Sequence, residues 1–157
     1  MERERLVVPP LRDGSLVELI PCDPARHGPF IRDLSRQNFA GLMERTVGWD
    51  EAHNQQEPQI PERYRMVLAQ GEPIGFFAVR AEEDALYLQT IQLVPEHRRQ
   101  GIGTALLRHI EALAQTQGCR AVRLRVFKEN PALDWYQRNG YQVVTDEPYS
   151  LMMEKTV

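Results

Sequence analysis

The sequence predicts an α+β protein with a mixed, mostly antiparallel sheet and helices on both faces. Three strand-like segments follow one another through short turns between residues 64 and 94, as in an antiparallel meander. A strand, a helix and a second strand then occupy residues 86–127, and such a crossover makes the two strands parallel. The chain has 157 residues, of which 42% are hydrophobic. We therefore expect a single domain over residues 1–157 with a substantial core.

Composition and charge argue against several classes of protein. The net charge of −3 argues against a general nucleic-acid binder, which needs a basic surface. No stretch approaches the roughly 20 apolar residues of a membrane span, and the charged residues 1–5 lack the apolar run of a signal peptide. Cys22 and Cys119 are too few for a disulfide framework, and no metal site is predicted. We therefore expect a cytoplasmic protein without membrane or nucleic-acid partners.

The first third of the chain predicts one strand and one helix. Residues 15–20 have the composition of a strand, and Asp23-Pro24 is a cap followed by a proline suited to the first helical position. The helix is expected to run toward Leu42, although Gly28-Pro29 favours an early interruption. Residues 46–63 are polar and contain several prolines, so they predict no regular element.

The rest of the chain contains regular signals for strands and helices. Apolar residues at helical spacing predict a helix over Thr104–Gln117, and Gly118 suits its C-terminal end. Asn130-Pro131 predicts the start of a short helix that ends at Gly140. The predicted strands are Tyr64–Ala69, Ile74–Arg80, Leu86–Val94, Ala121–Phe127, Tyr141–Thr145 and Ser150–Glu154.

The loop before the Thr104 helix has the composition of an anion site. Arg98 and Arg99 precede Gly101 and Gly103, and the helix begins near Thr104. Glycines let a phosphate approach the main chain, and a helix N-terminus directs unpaired N–H groups toward it. Arginines add cationic donors suited to phosphate. The loop therefore predicts a ligand that carries a pyrophosphate.

Three kinds of phosphate loop fit this segment to different degrees. A P-loop requires a lysine after its last glycine, and Thr104 stands there instead. A dinucleotide-binding fingerprint requires Gly or Ala where this chain has Leu106. The pattern Arg/Gln-x-x-Gly-x-Gly/Ala is met by Arg98, Gly101 and Gly103. This third pattern resembles the coenzyme A loop of the GCN5-related N-acetyltransferase (GNAT) superfamily.

A second segment resembles a later motif of the same superfamily. Asn130 opens a short helix, Tyr136 lies within it, and Gly140-Tyr141 end it. One helix and one strand separate the two motifs, which is also their order in the family. The resemblance covers roughly residues 64–154, and the residues before 64 match only in the order of their elements.

The resemblance implies a GNAT fold and a transferase. In this family the strands that correspond to Leu86–Val94 and Ala121–Phe127 splay apart, and the pantetheine arm of the acyl donor enters the gap. The implied reaction moves an acetyl group from acetyl-CoA to a primary amine of a small molecule or peptide, by direct attack in a ternary complex. Neither cysteine has the signature of a nucleophile, which agrees with direct attack. Homodimers are frequent in this superfamily, and the resemblance extends that expectation to this chain.

The family's functional residues can be placed on this sequence. Backbone groups of Ile91 and Leu93 would pair with the pantetheine amides, and the Leu93 N–H would polarise the thioester carbonyl. Asn130 would contact the pantetheine arm, although its position also suits a helix cap. Tyr136 would lie near the sulfur as the acid for the departing thiolate. The residues expected around the pyrophosphate are Arg98, Arg99, Gln100, Gly101, Gly103 and Thr104.

The base and the acceptor site are less clearly defined. Many superfamily members carry a glutamate where this chain has Gln89, and glutamine cannot accept a proton at neutral pH. The remaining candidates for a base are Glu44, Asp50 and His53, acting directly or through water. Trp49 and Asp50 together would suit a cationic amine, so we place them with Gln89 in the expected acceptor cleft.

Two other functions stay open at this point. The first is a coenzyme A-binding sensor or interaction module that has lost its chemistry, which Gln89 favours. The second is a nucleotide-binding enzyme that uses the same glycines. The presence of both Asn130 and Tyr136 argues against the sensor, and the missing third glycine argues against the nucleotide enzyme.

Overall fold

A computed structural model describes residues 3–6, 11, 14–46 and 63–157, with side chains of the first helix described as far as residue 38. In these parts of the chain, eight strands form one sheet, and three α-helices and one short 3-10 turn accompany it. The elements are β1 (Glu4–Leu6), β2 (Val17–Pro21), α1 (Pro24–Thr46), β3 (Tyr64–Ala69), β4 (Glu72–Glu82), β5 (Ala85–Leu93), the 3-10 turn (Pro95–His97), α2 (Ile102–Thr116), β6 (Ala121–Phe127), α3 (Ala132–Arg138), β7 (Gln142–Asp146) and β8 (Ser150–Thr156).

The sheet has the mixed, mostly antiparallel topology that the sequence predicts. Its strand order is β1-β2-β3-β4-β5-β6-β8-β7. Strands β3, β4 and β5 form the antiparallel meander, and β5 pairs with β6 in parallel through the α2 crossover. Strand β1 was not predicted, because its three charged or apolar residues carry no strand pattern of their own. Within the described part of the chain, no helix is long and apolar enough to cross a membrane.

The start of the first helix follows its capping signal. The Asp23 carboxylate accepts the N–H of Ala25 at 3.1 Å, so α1 begins at Pro24 as predicted. The helix continues through Pro29, so the interruption expected there does not occur. Burial of Ile31 and Leu34 against the sheet, one turn later, holds the helical path past the proline.

Helices cover both faces of the sheet, and β4 contributes to the core on each side. On one face, Ile31 and Leu34 of α1 belong to a buried cluster with Phe76. On the other face, Leu106 of α2 belongs to a larger cluster that contains Phe77. Adjacent strand residues point to opposite faces, so one apolar strand supplies both cores.

A β-bulge interrupts β5 in the middle of the sheet. The register between β4 and β5 shifts between Ala78 and Val79, and Gln89 is the extra residue on β5. On its other edge, β5 pairs with β6 only over residues 85–88. Bulges bend a strand and increase its twist, so β5 and β6 diverge beyond that point. The strands therefore splay, as the family resemblance implies.

Gly75 allows β4 to pack closely on the last residues of β5. A Cβ atom at Gly75 would collide with the Gln92 carbonyl oxygen and would lie 2.7 Å from the Leu93 Cδ2 atom. No backbone oxygen can move far inside a paired ladder, so this position requires glycine.

We expect Gly75→Ala to lower the free energy of unfolding by about 1–3 kcal/mol, the usual effect of overpacking. Urea denaturation measures this change. Gly28→Ala is the matched control, since its new Cβ would meet only the flexible end of the Arg32 side chain, at 3.1 Å, inside α1. The control should be neutral or stabilising by up to about 1 kcal/mol. Equal stability of the Gly75 variant and wild type would contradict the packing described here.

Three tyrosines are buried in the two cores. The exposed fractions of Tyr64, Tyr136 and Tyr141 are 2%, 8% and 2%. Burial raises the pKa of all three phenols, since it disfavours the phenolate, and the pKa of Tyr64 rises to about 12. The folded chain therefore keeps these protons at pH values where the unfolded chain releases them.

This difference predicts that the free energy of unfolding falls as the pH rises above about 10. The contribution of Tyr64 is complete below pH ~10, its ordinary pKa, and it is lost as pH rises toward about 12. In that range the free energy of unfolding falls by roughly 1.4 kcal/mol per pH unit for each buried tyrosine. Tyr64→Phe should reduce the slope of unfolding free energy between pH 10 and 11.5, whereas Tyr149→Phe, which alters an exposed ring, should not. Identical slopes in both variants would contradict this explanation.

Candidate active site

The gap between β5 and β6 exposes backbone groups that have no partner strand. The Val94 N–H donates to the Ile74 carbonyl at 2.9 Å. Antiparallel ladders alternate in two-residue steps, so Gln92 also turns its backbone groups toward β4. Ile91 and Leu93 therefore turn theirs toward the opposite edge, where no described strand pairs with them. Ile91 and Leu93, which the family resemblance assigns to the pantetheine arm, therefore lie on one open backbone edge.

The loop after β5 passes twice through left-handed backbone conformations before α2 begins. Arg99 has a φ of 61° and Gly101 a φ of 86°, both in the left-handed region. Such successive turns direct N–H groups into a common space and can cradle an anion. The Gln100 side chain donates to the Glu96 carbonyl at 3.1 Å, which braces the loop. Arg99 and Thr104 are exposed in this loop, so they are accessible to a pyrophosphate.

Helix packing explains why residue 103 is a glycine, and the sequence alone does not show this. A Cβ atom at this position would lie 3.1 Å from the Trp135 indole. Because Trp135 belongs to α3, the glycine lets that helix pack against the first turn of α2. The absent side chain therefore serves helix packing, in addition to any role in phosphate binding.

Arg98 lies in the predicted loop, but two protein groups already engage its guanidinium. Its Nε donates to the Leu93 carbonyl at 3.1 Å, and its Nη2 donates to the Asn38 side-chain oxygen at 2.7 Å. Asn38 also donates to Gln92 at 3.0 Å. Gln92 was missed as a functional candidate, although a lone polar residue among apolar strand positions is a signal that could have found it.

Asn130 acts as the cap that its position suggests. Its side-chain oxygen accepts the N–H of Ala132 at 2.9 Å, and its own N–H donates to the Phe127 carbonyl at 3.0 Å. Asn130 therefore joins the end of β6, one wall of the gap, to the start of α3.

Tyr136 is buried between two other rings. Its ring centroid lies 5.0 Å from Trp135 and 5.8 Å from Tyr141. Burial raises its pKa well above the ordinary value of a phenol, so the hydroxyl stays protonated. Tyr136 can therefore donate a hydrogen bond, but complete transfer of its proton is harder than ordinary pKa values indicate.

A network of charged side chains contacts Tyr141, the ring that packs against Tyr136. Glu111 is only 8% exposed, and both of its oxygens accept from Arg108, at 2.6 and 2.8 Å. The Tyr141 hydroxyl donates to Glu111 at 3.0 Å, and Lys155 donates to it at 3.1 Å. Because Tyr141 packs on Tyr136, this network fixes the position of the candidate acid. Sequence reasoning missed Glu111, because its partners Tyr141 and Lys155 lie 30 and 44 positions further along the chain.

The acceptor side of the site is described only in part. Trp49, Asp50 and His53 lie outside the described residues, as does the side chain of Glu44. Gln89, the fifth candidate on this side, is the bulge residue of β5.

A separate cavity of about 280 Å³ lies on the α2 face of the sheet. It is lined in part by Arg65, Phe77 and His109. His109 lies 3.7 Å from the Glu4 carboxylate. None of these residues belongs to the glycine loop or to the open edge of β5.

Comparisons with known proteins agree with this geometry. The model of the acetyltransferase (GNAT) family matches residues 29–141. Thialysine N-epsilon-acetyltransferase of Bos taurus is 37% identical over 62 residues, which are 39% of this chain and 36% of the relative. Streptothricin acetyltransferase of Streptomyces lavendulae is 37% identical over 78 residues, or 48% of this chain and 41% of the relative. The matched segments thus span well under half the length of these relatives.

The fold is also found among solved structures. PaiA N-acetyltransferase of Thermoplasma acidophilum, in complex with coenzyme A, superposes with a TM-score of 0.74 at 18% identity. The alignment covers 90% of this chain and 99% of that one. The family match, which extends over most of the chain, and the splayed sheet with its glycine loop lead to one conclusion: the chain belongs to the acetyltransferase (GNAT) family.

Proposed function

We propose that this protein transfers an acetyl group from acetyl-CoA to a primary amine. The observation that carries the proposal is the open backbone edge at Ile91 and Leu93, which ends directly at the glycine loop. A pantetheine arm carries two amides, so it can complete the missing ladder there as a short strand would. Family membership and the coenzyme A complex of a structural neighbour support the same donor.

The proposed donor site divides into two parts. The open edge of β5 takes the pantetheine arm, and the glycine loop takes the pyrophosphate with backbone N–H groups and a cationic side chain. The N–H of Leu93, beside the thioester, polarises its carbonyl and stabilises the negative charge of the tetrahedral intermediate. The residues assigned to the pyrophosphate are Arg99, Gln100, Gly101, Gly103 and Thr104.

The proposed chemistry is direct attack by a neutral amine on the thioester carbonyl. The nitrogen forms a bond to the carbonyl carbon, the carbon–sulfur bond breaks, and the amine's extra proton leaves to a base or water. The sulfur departs as a thiolate and receives a hydrogen bond from Tyr136. An alkylamine of pKa ~10.4 is neutral in only about one part in a few thousand at neutral pH, so a base or a water chain that removes this proton would help the reaction.

Described residues on the α1 face of β5 offer no carboxylate for this proton. Thr90 and Gln92 lie on that face, and their side chains hydrogen-bond to each other at 3.0 Å. We propose that a water chain or one of Glu44, Asp50 and His53 removes the proton.

A second candidate function is a coenzyme A-binding sensor without chemistry. The neutral Gln89 at the bulge, where many family members carry a glutamate, is the observation that favours it. Both functions need the donor site, and only the enzyme needs an acceptor.

A thiol-release assay separates the two functions. With acetyl-CoA and a panel of primary amines that includes lysine, thialysine and streptothricin, the enzyme should release free thiol only when an acceptor is present. The release should rise about tenfold per pH unit below the acceptor's pKa if no side-chain base titrates. Tight binding of acetyl-CoA with no acceptor-dependent release over a broad panel would favour the sensor.

Substitution of Tyr136 tests its role at the sulfur. Tyr136→Phe should lower kcat about 10- to 100-fold, the effect of losing a hydrogen bond to a developing charge of roughly 1.5–3 kcal/mol, with a smaller change in the KM for acetyl-CoA. Tyr149→Phe, at an exposed position, is the control and should leave both constants unchanged. An unchanged kcat in the Tyr136 variant would remove this residue from the mechanism.

A further inference from the structure

We propose that Arg98 is a positioning residue that joins the donor strand to helix α1, and that it is not a ligand of the pyrophosphate. This inference rests on the proposed function. It revises the role that the family pattern assigns to the first residue of the glycine loop.

The side chain of Arg98 bridges two elements that are distant in sequence. Its Nε donates to the Leu93 carbonyl at 3.1 Å, at the end of β5. Its Nη2 donates to the Asn38 oxygen at 2.7 Å, on α1. The planar guanidinium makes both bonds with one fixed geometry, so it holds α1 and the end of β5 at a set separation.

A buried amide extends this bridge into the interior. Asn38 donates to the Gln92 oxygen at 3.0 Å, and the Gln92 amide nitrogen donates to Thr90 at 3.0 Å and to Ser35 at 3.4 Å. Gln92 is 6% exposed, so its bonds are shielded from water, where an unmade one would cost about 1–3 kcal/mol. The chain of bonds therefore locks α1 to the β5 residues that follow the bulge.

The bond to Leu93 has a direct consequence for the donor site. Both backbone groups of Leu93 turn toward the open edge, and its carbonyl would repel the carbonyl of a thioester. Arg98 covers that carbonyl with a cationic donor, which leaves the Leu93 N–H as the group that the thioester meets. The end of the gap thereby becomes a donor site of the kind that stabilises an oxyanion.

Arg99 provides the contrast within the same loop. Both arginines are exposed, but Arg99, whose φ is 61°, makes no ion pair with a described residue. Its guanidinium is therefore available to a phosphate, whereas that of Arg98 is engaged by protein.

A shortened donor distinguishes the two arginines. S-acetylpantetheine keeps the thioester and the pantetheine amides but lacks the pyrophosphate and nucleotide. Arg98→Gln should lower kcat about tenfold with acetyl-CoA and by a similar factor with S-acetylpantetheine. Arg99→Gln should raise the KM for acetyl-CoA about tenfold and leave the reaction of the shortened donor unchanged. Loss of the Arg98 effect with the shortened donor would overturn the proposal and make Arg98 a pyrophosphate ligand.

Two further variants control for charge and for folding. Arg98→Lys keeps the positive charge but not both hydrogen bonds, so it should resemble Arg98→Gln, whereas wild-type rates in this variant would contradict the bridge. Asn38→Ala should lower kcat by a few-fold, and its combination with Arg98→Gln should be less than additive because the two residues share one interaction. Additive effects would also contradict it. Thermal melting confirms that each variant is folded.

A readout without turnover separates this inference from the proposed function. Amide hydrogen exchange of residues 34–38 should accelerate in Arg98→Gln and not in Arg99→Gln, because only the first change releases α1. Unchanged exchange in the Arg98 variant would overturn the inference even if the enzyme is active. Absence of acceptor-dependent turnover in wild type, with the exchange result as expected, would instead refute only the proposed function.

Discussion

The parallel ladder between β5 and β6 stops after four residue pairs, and the rest of the candidate site depends on the gap that results. A ladder left open inside a protein exposes backbone donors and acceptors that must find partners. The bulge at Gln89 sets this point, because the extra residue bends β5 just where its pairing with β6 ends. No described strand pairs with Ile91 or with the Leu93 N–H at this edge, so a ligand that carries amides can complete the ladder there.

Separate networks hold the parts of the site in place. On the α1 face, buried Gln92 and the Arg98–Asn38 bridge fix the end of β5. On the α2 face, Glu111 and Tyr141 fix the ring of Tyr136. Gly75 adds a steric condition, since only glycine lets β4 approach the last residues of β5. These groups are held in place before a ligand binds, so a reaction there would require little rearrangement of them.

Much of the fold could be predicted from the sequence because its signals are local. The alternation in Ala121–Phe127 marks that strand to the residue, and capping by Asp23 sets the start of α1. The bulge at Gln89 could not be predicted, since a register shift exists only relative to a partner strand. The bridge from Arg98 to Asn38 joins residues 60 positions apart, and no local pattern reports such a contact. The assignments of Ile91, Leu93 and Tyr136 remain predictions.

We propose that the open edge of β5 and the glycine loop together bind coenzyme A. Backbone amide NMR shifts during titration with coenzyme A test it most directly, because they report each N–H separately. Ile91, Leu93 and residues 99–104 should show the largest changes and saturate together. Changes concentrated around His109 in the separate cavity, or none at millimolar coenzyme A, would contradict it.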